Sequence, residues 1–308
     1  MAKCLIIGAN GFLGSHLVDE LGSRGHEVTA FDRFSSDAPI FENPSAVAVV
    51  GDFLNRADIA TALVGQDFVF HFLSTTTPAS AEDDPTLDVR TNIASSIDLL
   101  SMCVDAGISR VYFASTGGAI YGDQPGTILD ESAVPQPISP YAIGKLAIEG
   151  YLRYFQRKFG LQSVVFRISN PYGPRQHPNK LQGVIPIFLR NMKLGLPVML
   201  FGDGSMVRDY LFVGDAVRMI ANVVEADATH AVYNIGSGIG TSVAEVLEVA
   251  RAVTGLDPEV LLAPIPPTFV ASSVLDTGRY RSEFGRHELV SLRFGLERTW
   301  DAMKRTDA

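Results

Sequence analysis

The chain has 308 residues, 46% of them hydrophobic, enough for one large domain or two unequal ones. Its formal net charge of −9 argues against nucleic acid and anionic membranes as partners, and no apolar run reaches the length that spans a bilayer. The two cysteines, Cys4 and Cys103, fit a cytoplasmic protein that buries them as small hydrophobes.

The first residues show no signal-peptide cleavage site and read directly as a strand over 3–8. Gly8, Gly11 and Gly14 follow, and Phe12, Leu13, Leu17, Val18 and Leu21 then recur at helical spacing until Gly25. Strand, glycine turn and helix make the first unit of a dinucleotide fold, with the pyrophosphate on the helix's free amides. A second strand over 27–31 ends at Asp32, whose carboxylate can accept both adenosine-ribose hydroxyls and would repel a 2′-phosphate. That favours NAD over NADP, although the neighbouring Arg33 could pair with such a phosphate. A third strand over 46–50 leads to Asp52 and Phe53. Asp52 can either hydrogen-bond the adenine or serve the start of the helix that runs to Leu63.

A fourth strand over 68–73 brings Leu73, Ser74 and Thr75 to the sheet edge where ligands gather in such folds, with His71 inside it as a core residue. A helix over 85–106 carries an apolar stripe from Val89 to Val104, and Asn92 falls off that stripe as a tie between strand ends. The fifth strand, 110–114, runs into Ser115-Thr116-Gly117-Gly118-Ala119-Ile120-Tyr121-Gly122, and a polar loop over 123–137 follows. Ser139 and Pro140 then open a helix on which Tyr141 and Lys145 share one face. An ammonium beside a phenol favours the phenolate, so Tyr141 could accept a proton near neutral pH. Ser115 and Thr116 are both candidate hydroxyl partners; Thr116 is preferred because Gly117 has no side chain to offer.

These motifs resemble the extended short-chain dehydrogenase/reductases, and within them the NAD-dependent nucleotide-sugar epimerase/dehydratase group, best known for UDP-galactose 4-epimerases. The resemblance continues through Arg167-Ile168-Ser169-Asn170-Pro171-Tyr172-Gly173-Pro174, then Arg208-Asp209-Tyr210, then Asn234-Ile235-Gly236-Ser237-Gly238. It implies Tyr141 as general base, Lys145 on the nicotinamide ribose, and Thr116 as hydroxyl partner. It also implies Tyr172 by the nicotinamide, Asn170 and Gly117 on the sugar nucleotide, and Arg208 on its pyrophosphate. Val184, Ile185, Pro186 and Phe188 would pack near the base, and Asn92, Ser74 and Thr75 would join the cofactor's surroundings. Around residues 266–270 this chain lacks an arginine and an aspartate that many relatives carry, and Arg279 or a loop residue could supply the second cation. Arg175, His177, Asn179 and Lys180 lie in one loop that could meet a substrate carboxylate or stay solvated.

The resemblance implies a doubly wound α/β domain over 1–172, to which 209–240 return, and a smaller substrate domain over 173–308, with the ligand held at a cleft. The expected activity is inversion at C4 of a UDP-hexose or UDP-hexuronic acid. Relatives that dehydrate sugars carry Asp-Glu directly after the threonine, where this chain has Gly117-Gly118. Dehydratase, decarboxylase and 4-keto-sugar reductase are the alternatives, followed by a non-catalytic NAD sensor. Two apolar stripes on the Tyr141 helix suggest either a deep core position or a partner subunit, and the resemblance implies a homodimer through this helix.

Overall fold

A computed structural model describes residues 1–34, 39–124, 128–176, 183–226 and 228–305. His177, Asn179 and Lys180 lie outside them. In chain order the elements open with β1 (Lys3–Ile7), α1 (Phe12–Ser23), β2 (Glu27–Asp32), β3 (Val47–Val50), α2 (Arg56–Leu63) and β4 (Phe68–His71). Next come α3 (Pro78–Asp83), α4 (Pro85–Asp88), a π-helical turn (Val89–Ile93), α5 (Ala94–Asp105), β5 (Arg110–Thr116), α6 (Gly117–Ile120) and α7 (Pro140–Phe159). After these stand β6 (Gln162–Ile168), β7 (Asn170–Tyr172), α8 (Val184–Lys193), β8 (Val198–Phe201), β9 (Val207–Phe212) and α9 (Val213–Glu225). The chain finishes with β10 (Val232–Ile235), β11 (Gly240–Ser242), α10 (Val243–Thr254), β12 (Val260–Ala263), β13 (Ser272–Ser273), α11 (Gly278–Phe284) and α12 (Leu292–Arg305).

The expected doubly wound α/β architecture is present: a seven-stranded sheet in the order β10-β6-β5-β4-β1-β2-β3. The pairs β1–β2, β1–β4, β2–β3 and β4–β5 are parallel. Strand order reverses at β1, and such a reversal opens a ligand crevice at the carboxyl ends of the strands. β3 is the edge strand, which explains why Val47 and Val50 stay exposed. On one face of the sheet the rings of Phe70 and Tyr112 stack at 4.7 Å, and Tyr112 lies parallel to Phe166 at 6.0 Å. Cys4 and Cys103 are free and buried, and burial raises both thiols, Cys4 to about 12. No helix among the described residues is long and apolar enough to cross a membrane.

The helix expected over 85–106 is interrupted. Its middle widens into the π turn, and Asn92 turns inward there to bond Thr75, Thr76 and Asp88. Residues 78–83 carry no apolar helical pattern yet form α3, because Pro78 and a Thr77–Ser80 capping box start it.

Two compact units divide the chain. The first holds Met1–Thr116, Pro140–Arg167 and Val217–Tyr233; the second holds Gly117–Ser139, Ile168–Ala216 and Asn234–Ala308. These boundaries differ from the sequence expectation at 117–139, 168–172, 209–216 and 234–240, all of which fall in the second unit. Residues 117–139 belong to the second unit, because Leu129 pairs with Leu275 and the Ser273 hydroxyl reaches the Gly117 carbonyl. Residues 209–216 do too, because β9 pairs there with β7, β11 and β13.

His71 is the core residue expected. Its Nε2 lies 2.7 Å from the Ser96 hydroxyl, and its ring packs against Phe53 and Phe113. Burial, aided by the Lys145 charge, lowers its pKa to about 3. The unfolded ring takes up a proton near pH 6.5, whereas the folded one stays neutral until about 3. Stability is therefore complete above pH 6.5 and falls as pH drops, by about 1.4 kcal/mol per unit from this residue. Urea unfolding of a His71→Leu variant between pH 7 and 4.5 is expected to show a shallower acid loss than the parent chain.

Candidate active site

The cradle begins at three glycines. Gly8 has φ of +90°, and a Cβ there would stand 2.8 Å from the Leu73 nitrogen. A Cβ on Gly14 would run into the Gly8 carbonyl. The loop is closed by Gly8 N to Phe31 O (3.0 Å) and Gly11 N to Gly8 O (3.0 Å). Gly11 caps α1 with no side chain, and the first turn has no acidic residue. The first amides, those of Phe12 and Leu13, thus remain available to an anionic ligand.

At the end of β2, Asp32 receives Asn10 N on Oδ2 (2.9 Å) and Arg33 N on Oδ1 (2.7 Å). Each carboxylate oxygen keeps lone-pair capacity, which suits paired ribose hydroxyls. Asp52 accepts the Leu54 amide at 2.9 Å while its own amide donates to Asp58, a turn at the entry to α2. Ser74 and Thr75 are exposed beyond β4. Two residues expected at the cofactor make their side-chain contacts inside the protein, and Asn92 does so as the tie that its place off the apolar stripe suggests. The Phe53 side chain is buried against His71. Asn92 is buried and ties Thr75 and Thr76 to Asp88.

The candidate catalytic residues stand on β5 and α7. Lys145 is buried; its Nζ donates to Ala114 O (2.9 Å) and stands 5.7 Å from the Tyr141 ring centroid. The two Ser/Thr candidates separate clearly. Ser115 is buried and donates to Glu149 Oε1 at 2.6 Å, a carboxylate also gripped by Arg167 Nη2 at 2.8 Å. The Thr116 side chain is only partly buried and has no hydrogen-bond partner among the described residues.

The resting phenol is not depressed by Lys145 as expected. Burial pushes Tyr141 up to about 12, with the Asp88 carboxylate adding to the rise. Burial also brings Lys145 down to about 8, against the pull of Asp88 and Glu149. Desolvation of the phenolate therefore outweighs an ammonium that spends its hydrogen bond on a backbone carbonyl.

The second unit carries the other candidates. The Asn170 amide donates to Asp209 O at 3.3 Å, and a Cβ on Gly118 would lie 3.3 Å from that amide group. Gly117 is buried. In α8, Ile185, Pro186 and Phe188 are buried while Val184 is partly exposed. Arg208 donates to Val207 O (2.8 Å) and Val270 O (2.7 Å), and burial lowers its pKa. Arg279 faces Glu131 at 3.5 Å, a carboxylate that also receives Asn234 N. Tyr172, expected at the nicotinamide, is buried with its hydroxyl against Gly295 and Leu292 O, because β7 turns it towards α12.

Residues 4–236 match the profile of the NAD-dependent epimerase/dehydratase family. The chain belongs to this family. Among solved structures, the UDP-glucose 4-epimerase of Thermotoga maritima, determined with UDP-glucose, is similar with a TM-score of 0.92 and 36% identity, over 99% of this chain and 100% of that one. The Thermus thermophilus UDP-glucose 4-epimerase in complex with NAD has a TM-score of 0.91 and 33% identity, over 98% and 99%. A dTDP-glucose 4,6-dehydratase from Streptomyces venezuelae with NAD bound has a TM-score of 0.90 and 29% identity, over 98% and 97%. Both reactions in the family's name are thus represented at nearly equal likeness.

The residues present fit the family's NAD. Side chains at Gly8 and Gly14 would fill the cradle, and Asp32 is held open for hydroxyls. Asp32→Ala is expected to weaken NAD binding about tenfold and to narrow the preference over NADP, read by calorimetric titration. Sequence reading passed over Glu149, and with it the pairing of Arg167 behind Ser115. The one available signal was Glu149 standing four residues after Lys145, one helical turn along the same face.

Proposed function

We propose that this chain is an NAD-dependent nucleotide-sugar 4-epimerase acting on a UDP-hexose or UDP-hexuronic acid through a transient 4-keto form. The observation that carries this reading is Gly117-Gly118 directly after the uncommitted Thr116 hydroxyl. Elimination of water needs an acid and a base on adjacent carbons, and that loop offers neither. A side chain at Gly118 would also crowd Asn170.

Tyr141 is the proposed proton carrier: it takes the proton of the C4 hydroxyl and returns one after the ketone has presented its other face. Thr116 holds the same oxygen by a hydrogen bond, and Lys145 orients and charges the surroundings of the phenol. When bound, NAD+ supplies a hydride acceptor and a positive charge that favours the phenolate. Arg208 is the proposed pyrophosphate ligand, with Asn170 on the sugar nucleotide. Arg279, 3.5 Å from Glu131, is the second candidate arginine.

The test is a panel of UDP- and dTDP-sugars followed by NMR. Inversion at C4 without net change in NADH supports the proposal. Loss of water would assign a dehydratase, stoichiometric NADH consumption a reductase, and no turnover of any member would overturn the reading.

We also propose a homodimer. On α7, Ile143, Tyr151 and Tyr154 are exposed, and so are Leu87 of α4 and Val89 of the π turn, although α7 packs α4 and the turn along another side. Sedimentation is expected to give a dimer, and a Tyr154→Glu change should shift it towards monomer.

A further inference from the structure

A buried carboxylate lies beside the Tyr141–Lys145 pair and has no part in the roles above. Asp88 ends α4 and is 3% exposed. One of its oxygens does the local work: Oδ1 accepts the Thr76 hydroxyl at 2.6 Å and the Asn92 amide at 2.7 Å. The other, Oδ2, receives no hydrogen bond from the described residues and lies on α7. A Cβ built on Gly144 would collide with it, and would stand 3.2 Å from Asp88 Cγ. Gly144 is one residue before Lys145 and three after Tyr141, so Oδ2 rests on the turn that joins them. Only a glycine at 144 admits the carboxylate there.

We propose that Asp88 is the buried counter-ion of the Tyr141–Lys145 pair, a positioning residue whose Oδ2, seated on Gly144 by Thr76 and Asn92, sets how tightly the pair holds its protons. This rests on the reading of Tyr141 as proton carrier. A carboxylate here disfavours the phenolate and favours the ammonium, and both effects are felt: Asp88 raises Tyr141 and raises Lys145. Other charges on the packed elements are placed differently. Glu149, further along α7, acts on Lys145 but is gripped by Arg167 and Ser115. His71 of β4 is neutral above about 3. Glu82 and Asp83 of α3 are exposed, and Arg90 of the π turn is exposed and turned to Asp84. Asp88 is thus the buried negative charge that acts on both members of the pair.

The consequence is a restraint. With the carboxylate in place beside the Lys145 ammonium, the phenol keeps its proton until a further positive charge is near it, which ties ionisation to the loaded site. Asp88→Asn keeps the shape and the Thr76 contact while removing the charge. The two groups titrate as a coupled pair, so removing a negative neighbour lowers the pH at which protons leave it.

The experiment is a tyrosinate absorbance titration of the NAD-loaded protein, taking the difference from a matched Tyr141→Phe chain so that the other tyrosines cancel. Asp88→Asn is expected to lower the Tyr141 midpoint by about half a pH unit or more, roughly a threefold rise in its ionisation constant. A second variant, Asp88→Ala with Gly144→Ala, places a methyl in the volume that Oδ2 leaves and is expected to show the same fall. A midpoint unmoved within about 0.2 units in whichever variant folds would overturn the proposal and leave Asp88 as scaffolding for the π turn. No sugar enters this titration, so its outcome is separate from that of the NMR panel.

Discussion

Tyr141→Phe is expected to lower kcat by about 10²- to 10⁴-fold while NAD stays bound. The substitution keeps the ring and removes only the hydroxyl. The Lys145 contact with Ala114 O does not involve the phenol, so the local scaffold survives. Nothing else described around this pair replaces the lost group: His71 is neutral and faces Ser96, and Ser115 is held by Glu149. The resting phenol, raised to about 12, is protonated at neutral pH, so its usefulness as a base depends on the charge the bound cofactor brings. Cofactor retention can be read from the NAD released on denaturation, and turnover from the NMR assay. A variant that keeps a large part of the parent's kcat would remove Tyr141 from the proton-transfer role.

Arg167→Leu is expected to cost about 3–5 kcal/mol of stability, since it strands a buried carboxylate. Glu149 is 1% exposed and Arg167 4% exposed. The guanidinium donates through Nη2 to Oε2 at 2.8 Å and through Nε to Oε1 at 3.2 Å, and Ser115 completes the set at 2.6 Å. Without the arginine, that charge has only the Ser115 hydroxyl and the more distant Lys145 for company. The double change Arg167→Leu with Glu149→Met replaces the ion pair with apolar volume and should recover most of the loss. Urea midpoints of the two variants decide it. A single variant as stable as its parent would show that the pair contributes nothing net.

Much of the first unit was legible because its signals are local. An apolar run, a glycine turn and a helical stripe define β1, the cradle and α1, and the carboxylate at the end of the next strand is the candidate ribose ligand. Tyr141 and Lys145 share a helix face by spacing, and the glycine turn, Asp32 and the hydroxyls of Ser115 and Thr116 before them make that spacing meaningful. The interruption at Asn92 could not be read from the sequence, because it depends on Thr75 and Thr76 arriving from a different strand. The roles of Ser115 and Thr116 were equally closed to it: adjacent residues with similar chemistry are separated only by what stands behind the strand, here Glu149. Tyr172 illustrates the reverse case, a residue placed by likeness at the nicotinamide whose hydroxyl the fold directs to α12.

By itself, then, the sequence determined the family, the order of strands and helices around the cofactor, and the residues able to carry a proton. The family rests on a resemblance carried by motifs along most of the chain; the element order and the candidate proton carriers rest on local spacing and on the geometry of regular elements. Tertiary structure alone decided where 117–139 and 209–216 belong, which hydroxyl is uncommitted, and how burial and Asp88 hold the Tyr141 phenol protonated. Those outcomes turn on desolvation and on partners far away in sequence, and a string of residues encodes neither until it folds.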